Sequence, residues 1–348
     1  MQRRYWLILC CGAAIVMACS KKWAEPPKKA FEGFSRPANF PEATYRFANN
    51  AITEAKFELG RKLFYDPRFS RNNTISCGSC HIQSAGFTHH GHDVSHGIED
   101  RLGTRNSQAI MNIAWGKSFF WDGGVTNLDL QPIVPINNPV EMDETIENVI
   151  KKLREQPQYP GLFKKAFGSE EIDTERIMKA LSQFMVMLVS ANSKYDKVMR
   201  NENNEQFTEA EARGYALFKT NCASCHKEPL FTDESYRDNG IGAGPNNDPG
   251  RFGVTQNEAD RLKFKVPSLR NTLYTAPYMH DGRFLTLDAI LEHYAENVRN
   301  TPNLDPALKQ DGQPGLPLTA ENRADLLAFL KTLNDQQFVT DPRFAETY

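Results

Sequence analysis

Apolar residues recur every three or four positions along several stretches of this chain, the pattern of helices that bury one face. In "ETIENVIKKL", Ile146, Val149, Ile150 and Leu153 share a face. "TERIMKALSQFMVMLV" continues the pattern, with Met178, Met185 and Met187 reading as core residues. "TAENRADLLAFLKTL", from Thr319 to Leu333, is a further amphipathic segment, and Thr208 with Glu211 forms a capping box that opens another helix. By contrast, "DNGIGAGPNNDPGRFG" is dense in turn formers and reads as a long loop. Its glycines neither follow a strand nor open a helix, so it matches a nucleotide-binding loop poorly. The expected fold is mainly α.

The pattern repeats. "EAKFELGRKLFYDP" ahead of "CGSCH" and "EAEARGYALFKTN" ahead of "CASCH" each lay a Gly-x-x-Leu-Phe helix before a Cys-x-x-Cys-His pentapeptide. Two tandem domains are expected, residues 45–200 and 201–348. The start of the chain reads differently. Arg3 and Arg4 precede an apolar run from Tyr5 to Ala18, too short to span a bilayer comfortably and of signal-peptide length. It closes on "VMAC", which resembles a bacterial lipoprotein cleavage box. On that reading residues 1–18 are removed, Cys19 carries the lipid, and residues 19–44 are a polar, Pro-containing tether. An ordinary signal peptide cut nearby is the alternative. The protein is expected to be exported and periplasmic, bound to a membrane through its N-terminal lipid only.

The 348 residues, 40% hydrophobic and 24% charged, describe a globular protein. A net charge of −2, with no long basic run beyond the N-terminus, speaks against a nucleic-acid partner. The 7 cysteines are all assigned: Cys10 and Cys11 in the signal, Cys19 at the lipid site, then Cys77, Cys80, Cys222 and Cys225. None is left for a structural disulfide. Each of the last two pairs is followed at once by a histidine, His81 or His226. Cys-x-x-Cys-His is the attachment signature of c-type haem, with the two thiols on the porphyrin vinyls and the imidazole under the iron. A four-cysteine zinc site usually brings its pairs to within roughly 15–20 residues, far closer than these. A thioredoxin-like motif would sit in a strand–helix unit, which neither pair does.

With "GTRNSQAIMN", "FFWDGG", "LQPIVPINNPVEM" and "FKVPSLRNTLYTAPYMHDG", these motifs resemble the bacterial dihaem cytochrome c peroxidase and MauG-like family from about Glu54 to Leu333. The resemblance implies two cytochrome c-type domains, each with one covalent haem: an N-terminal peroxidatic haem on His81 and a C-terminal electron-handling haem on His226. It places Gln131 and Glu141 in the distal pocket, Trp121 between the haems, and a calcium on the Asn106 side chain and the carbonyls of Thr275 and Pro277. Peroxide cleavage needs a proton moved from the inner to the outer oxygen, which a positioned carboxylate can do. From local pattern alone, Glu141 reads instead as a carboxylate favoured near a helix N-terminus, and Trp121 as core.

His96 fits the family's displaceable distal histidine, whereas His89, His90 and His92 read as solvated loop residues. In the peroxidases a methionine ligates the second iron fourteen residues after the histidine of "HDG". Here that histidine is His280, and the matching position is Tyr294. Tyr294 also shares the face of Leu287, Ile290 and Leu291; Met279 is the rival ligand. An anionic oxygen ligand would favour ferric and higher states, the MauG-like arrangement. The first reading is thus a peroxidase that reduces hydrogen peroxide with electrons from a small cytochrome c or cupredoxin. The second is a MauG-like oxidase of a protein or small molecule, and the third a non-catalytic electron-transfer cytochrome. The resemblance is compatible with a homodimer.

Overall fold

Most of the longer helices begin at side-chain caps. The Thr53 hydroxyl accepts from the Lys56 amide, Thr145 from Asn148, Asp173 from Arg176, Thr208 from Glu211 and Thr319 from Asn322. In the computed structural model, which describes residues 30–347, the first half holds α1 (Glu54–Phe64), α2 (Cys77–Cys80), α3 (Ile133–Asn137), α4 (Ile146–Arg154), α5 (Gln158–Phe167), α6 (Thr174–Val186) and α7 (Lys194–Met199). The second half holds α8 (Glu209–Asn221), α9 (Phe252–Thr255), α10 (Leu287–Glu292), α11 (Ala320–Lys331) and α12 (Gln336–Thr340). Two antiparallel ribbons complete it: β1 (Tyr236–Arg237) with β2 (Phe264–Lys265), and β3 (Lys309–Gln310) with β4 (Gln313–Pro314).

The sequence repeat is a structural repeat. α1 crosses α6 at Gly60, and α8 crosses α11 at Gly214. A Cβ on Gly60 would lie 1.9 Å from the Ala180 carbonyl oxygen, and one on Gly214 would lie 1.9 Å from that of Asp325. Only glycine permits so close an approach. Phe184 and Phe329, both fully buried, sit beside the two crossings. A second repeated unit is a tight hairpin, closed by the bridges Phe119–Val125 and Tyr278–Phe284. Phe120 and Met279 take left-handed backbone at equivalent points (φ 69° and 71°), so Trp121 and His280 occupy matching positions.

Gly33–Tyr348 forms one compact unit. The halves are tied by buried polar contacts. Arg270, fully buried, donates both terminal nitrogens to Asp196 at 2.8 Å, and Arg105 forks onto Asp248 at 2.6 and 2.9 Å. The signal peptide and Cys19 lie outside the described residues. The expected tether needs correcting at its far end. Phe34 and Phe40 pack on Trp115 (centroids 5.5 and 5.0 Å apart) and Asn39 bonds Asp196, because these aromatics have a buried partner to cover. Among the described residues, no helix is long and apolar enough to cross a membrane.

Candidate haem-binding cavity

A mostly apolar cavity of about 1140 Å³ reaches both Cys-x-x-Cys-His motifs. Cys77 and Cys80 bound the single turn of α2, and Cys222 terminates α8. His81 Nδ1–H donates to the Phe87 carbonyl at 2.9 Å; His226 Nδ1–H lies 3.1 Å from that of Phe231 and 3.2 Å from that of Pro267. Phe87 and Phe231 both adopt left-handed backbone to present these carbonyls. The bonds set the tautomer and leave Nε2 as the ligating nitrogen of each ring. Burial lowers both histidine pKa values, which keeps the imidazoles neutral.

The four cysteines are not joined in disulfides. Burial pushes Cys77, Cys80 and Cys222 up to about 12 and raises Cys225. That is the reverse of the activated thiols of a redox Cys-x-x-Cys pair. His280, buried at the same cavity, stacks on Phe264 with ring centroids 3.9 Å apart. Paired thiols, oriented neutral imidazoles and an apolar volume reaching both fit covalent haem at each motif.

Gln131, Glu141 and Trp121 all line the cavity. Gln131 stands at the turn leading to α3, and Glu141 follows α3 with its amide on the Asn138 carbonyl. Burial raises the Glu141 pKa, opposed by a hydrogen bond from Asn138, and its charge is felt at Cys80. Trp121 is buried and donates Nε1–H to the Asn106 carbonyl at 2.9 Å.

The histidine loop differs from expectation. His89 is buried rather than solvated, and stacks on His92 with centroids 4.1 Å apart, because the loop folds back on itself. His90 is exposed. The His96 ring packs 4.2 Å from His92 and is not among the cavity-lining residues, although its carbonyl lies 3.4 Å from Cys80 Sγ. The backbone next to His96 packs against Glu141, with the Ile98 amide on the Glu141 carbonyl at 2.7 Å.

At the second motif, Tyr294 lines the cavity with Cys222, Cys225 and His226, and so does Met279. The helix face that includes Leu287 and Leu291 continues past α10 not as α-helix but as a wider π-turn, His293–Asn297. Such turns recur at functional sites. Burial pushes Tyr294 up to about 12, with the neighbouring thiols adding to this and a hydrogen bond from Asn239 opposing it. Asn239 was hidden in the turn-rich loop; its only signal was that loop's position after the second motif.

Asn106, Thr275 and Pro277 line the same cavity. Asn106 Nδ2 is engaged by the carbonyls of His92 and Asp93 (3.3 and 3.1 Å), which leaves Oδ1 as an oxygen donor. No cluster of three or more His, Cys, Asp or Glu among the described residues is arranged to hold a metal. A calcium on amide and carbonyl oxygens needs none.

Fold and cavity together define a mainly helical, two-domain cytochrome c protein with two covalent haems. The model of the di-haem cytochrome c peroxidase family matches residues 54–204, and that of cytochrome c matches 211–334. The chain belongs to the di-haem cytochrome c peroxidase/MauG family. It is 34% identical to the methylamine utilization protein MauG of Methylorubrum extorquens over 94% of this chain and 92% of that one. It is 39% identical to the cytochrome c551 peroxidase of Nitrosomonas europaea over 80% of each. A MauG-like protein associated with microbial copper homeostasis superposes with a TM-score of 0.80 at 33% identity, covering 90% of this chain and 99% of that one.

Proposed function

We propose that this chain is a peroxide-consuming dihaem oxidoreductase of the MauG-like kind, acting on hydrogen peroxide at the His81 site. When bound, the haems supply the redox-active irons, so that H2O2 takes up two electrons and two protons to give two waters. Glu141 moves the proton between the peroxide oxygens, Gln131 orients them by hydrogen bonding, and the surrounding apolar wall limits water. Trp121 lines the cavity that reaches both motifs and is the side chain assigned to relay electrons between them.

The observation that carries the MauG-like choice is Tyr294 in the second half of the cavity. A phenolate ligand disfavours the reduced state that a small electron-donor protein must generate. The two electrons then come from side chains of a protein, or from a small reductant. A cytochrome c peroxidase fed by a small cytochrome c or cupredoxin is the second reading, favoured by the Gln131–Glu141 pair and by the Nitrosomonas relative. Tyr294→Met separates them. The substitution is expected to raise the second haem's potential and to speed oxidation of a reduced small cytochrome c by peroxide. No change in either quantity sinks Tyr294 as the determinant.

Export and lipid attachment at Cys19 belong to the same reading, on the "VMAC" pattern. Mass measurement of the mature N-terminus tests them. Calcium at Asn106 Oδ1 and the carbonyls of Thr275 and Pro277 is tested by metal analysis of the purified protein before and after chelation.

A further inference from the structure

His81 is oriented by the Phe87 carbonyl, 2.9 Å from its Nδ1, and Phe87 offers that carbonyl from left-handed backbone (φ 62°). A bulky residue keeps such a conformation only where its surroundings impose it. The loop itself fixes one side of Phe87, whose amide donates to the Ile82 carbonyl at 2.9 Å. The peptide that follows is held less closely, with the Thr88 amide 3.3 Å from the Ala85 carbonyl. The remaining constraint falls on the ring, which is fully buried. It packs on Phe64 of α1 and Phe338 of α12, with centroids 6.3 and 5.5 Å away.

Phe338 comes from the other half of the molecule. At the second motif the matching ring, Phe231, packs on Phe218 and Phe329 of its own half (5.4 and 6.2 Å). Phe338 instead lies beyond residue 334, where the match to cytochrome c ends, on a segment that crosses to the first motif. The segment leaves the second half at Asp335, whose amide donates to Asn271 Oδ1 at 2.7 Å. Side chains of the first half then hold its carbonyls. Gln83 Nε2 donates to those of Phe338 and Asp341 at 3.3 and 2.8 Å. Arg61 donates to that of Arg343, and the Tyr65 hydroxyl to that of Phe344, both at 2.8 Å. A well-held bond from Nδ1–H to a carbonyl makes an imidazole a stronger donor to iron, which favours ferric and higher states.

We propose that Phe338 is a positioning residue for His81: by pinning the Phe87 ring it holds the Phe87 carbonyl on Nδ1 and keeps the potential of the first haem low. The inference rests on the reading of His81 as the proximal ligand. No reactive group is assigned to Phe338, which acts only through the Phe87 backbone.

The test uses the holoprotein, with two covalent haems per chain verified in each variant, and reads the potential of each haem by spectroelectrochemical titration. Phe338→Ala opens space into which the Phe87 ring relaxes. It is expected to raise the potential of the first haem and leave that of the second in place. Phe338→Leu refills much of that space and should bring the first haem back toward its wild-type value. Gln83→Ala frees the segment from the loop without emptying the core, and is expected to shift the first haem the same way by less. A wild-type first-haem potential in Phe338→Ala overturns the proposal; so does one in Gln83→Ala, should Phe338→Ala not carry both haems. An equal shift of both haems overturns it too, because it marks general loosening. His81→Gly, made alone, separates this from the underlying reading. If it leaves the spectrum of the first haem unchanged, His81 is no ligand and that reading falls, whatever the Phe338 variants show.

Discussion

Glu141 is a carboxyl group set in a mostly apolar wall, and burial makes it a weaker acid than a solvated glutamate, with Asn138 acting the other way. A shuttle that must first accept a proton works in its ionised form. As pH falls through the raised pKa, Glu141 is protonated and that form is lost. The acid limb of peroxide cleavage is therefore expected above the ordinary carboxylate range. Glu141→Gln should erase the limb and slow cleavage by about 10²–10⁴-fold, with haem absorption unchanged; rapid mixing with peroxide across pH reads both. At this scale some residues were legible in the sequence and others were not. Haem attachment is chemistry between adjacent residues, so its spacing stands in the chain for Cys77, Cys80 and His81. Asn239 meets Met279 only across 40 positions, and turn composition says nothing of such a meeting. His89 looked solvated because its loop is polar, yet packing with His92 and His96 buries it.

Among the elements, the repeated helix crossings decide how the cavity is framed. Their caps could be read directly, since Thr208 with Glu211 is a local pattern that the structure reproduces. The glycines could not be read so fully. Gly60 and Gly214 marked the repeat, but that a carbonyl approaches each one depends on helices distant in sequence. Gly214→Ala would press a methyl against the Asp325 carbonyl and the Phe329 side chain. Overpacking of this kind costs about 1–3 kcal/mol or more. A lower denaturant midpoint at constant slope is the expected result, and an unchanged midpoint would mean that α8 and α11 shift apart freely. Helical periodicity placed Tyr294 on the inward face, and it does line the cavity. What periodicity missed is the change from α-helix to π-turn at His293, where the ring also meets the distant Asn239 carbonyl.

For the whole molecule, the family motifs forecast two haem domains, but not the buried ties between them. Arg270 lies in "FKVPSLRN", a segment singled out by resemblance alone; the structure makes it the partner of Asp196. Burial would raise Asp196, but the hydrogen bonds and charge of Arg270, with help from Asn39 and Ser193, bring it below the usual range. Its stabilising contribution is therefore present above the ordinary carboxylate pKa and is lost as pH falls through the lowered value. Asp196→Asn leaves a buried guanidinium without its counter-charge, at a cost of about 3–5 kcal/mol, measurable by denaturant unfolding of the holoprotein. The same scale holds the functional question, because the proposed peroxide site is at one motif while Tyr294 lines the cavity at the other. The most direct measurement mixes the ferric holoprotein with hydrogen peroxide, with and without prior one-electron reduction, and then adds a reduced small cytochrome c. With Tyr294 lining the cavity at the second motif, peroxide should react without prior reduction. The product should be a long-lived oxidised spectrum that the cytochrome quenches slowly. Silence until one haem is reduced, followed by rapid cytochrome oxidation, would contradict the account.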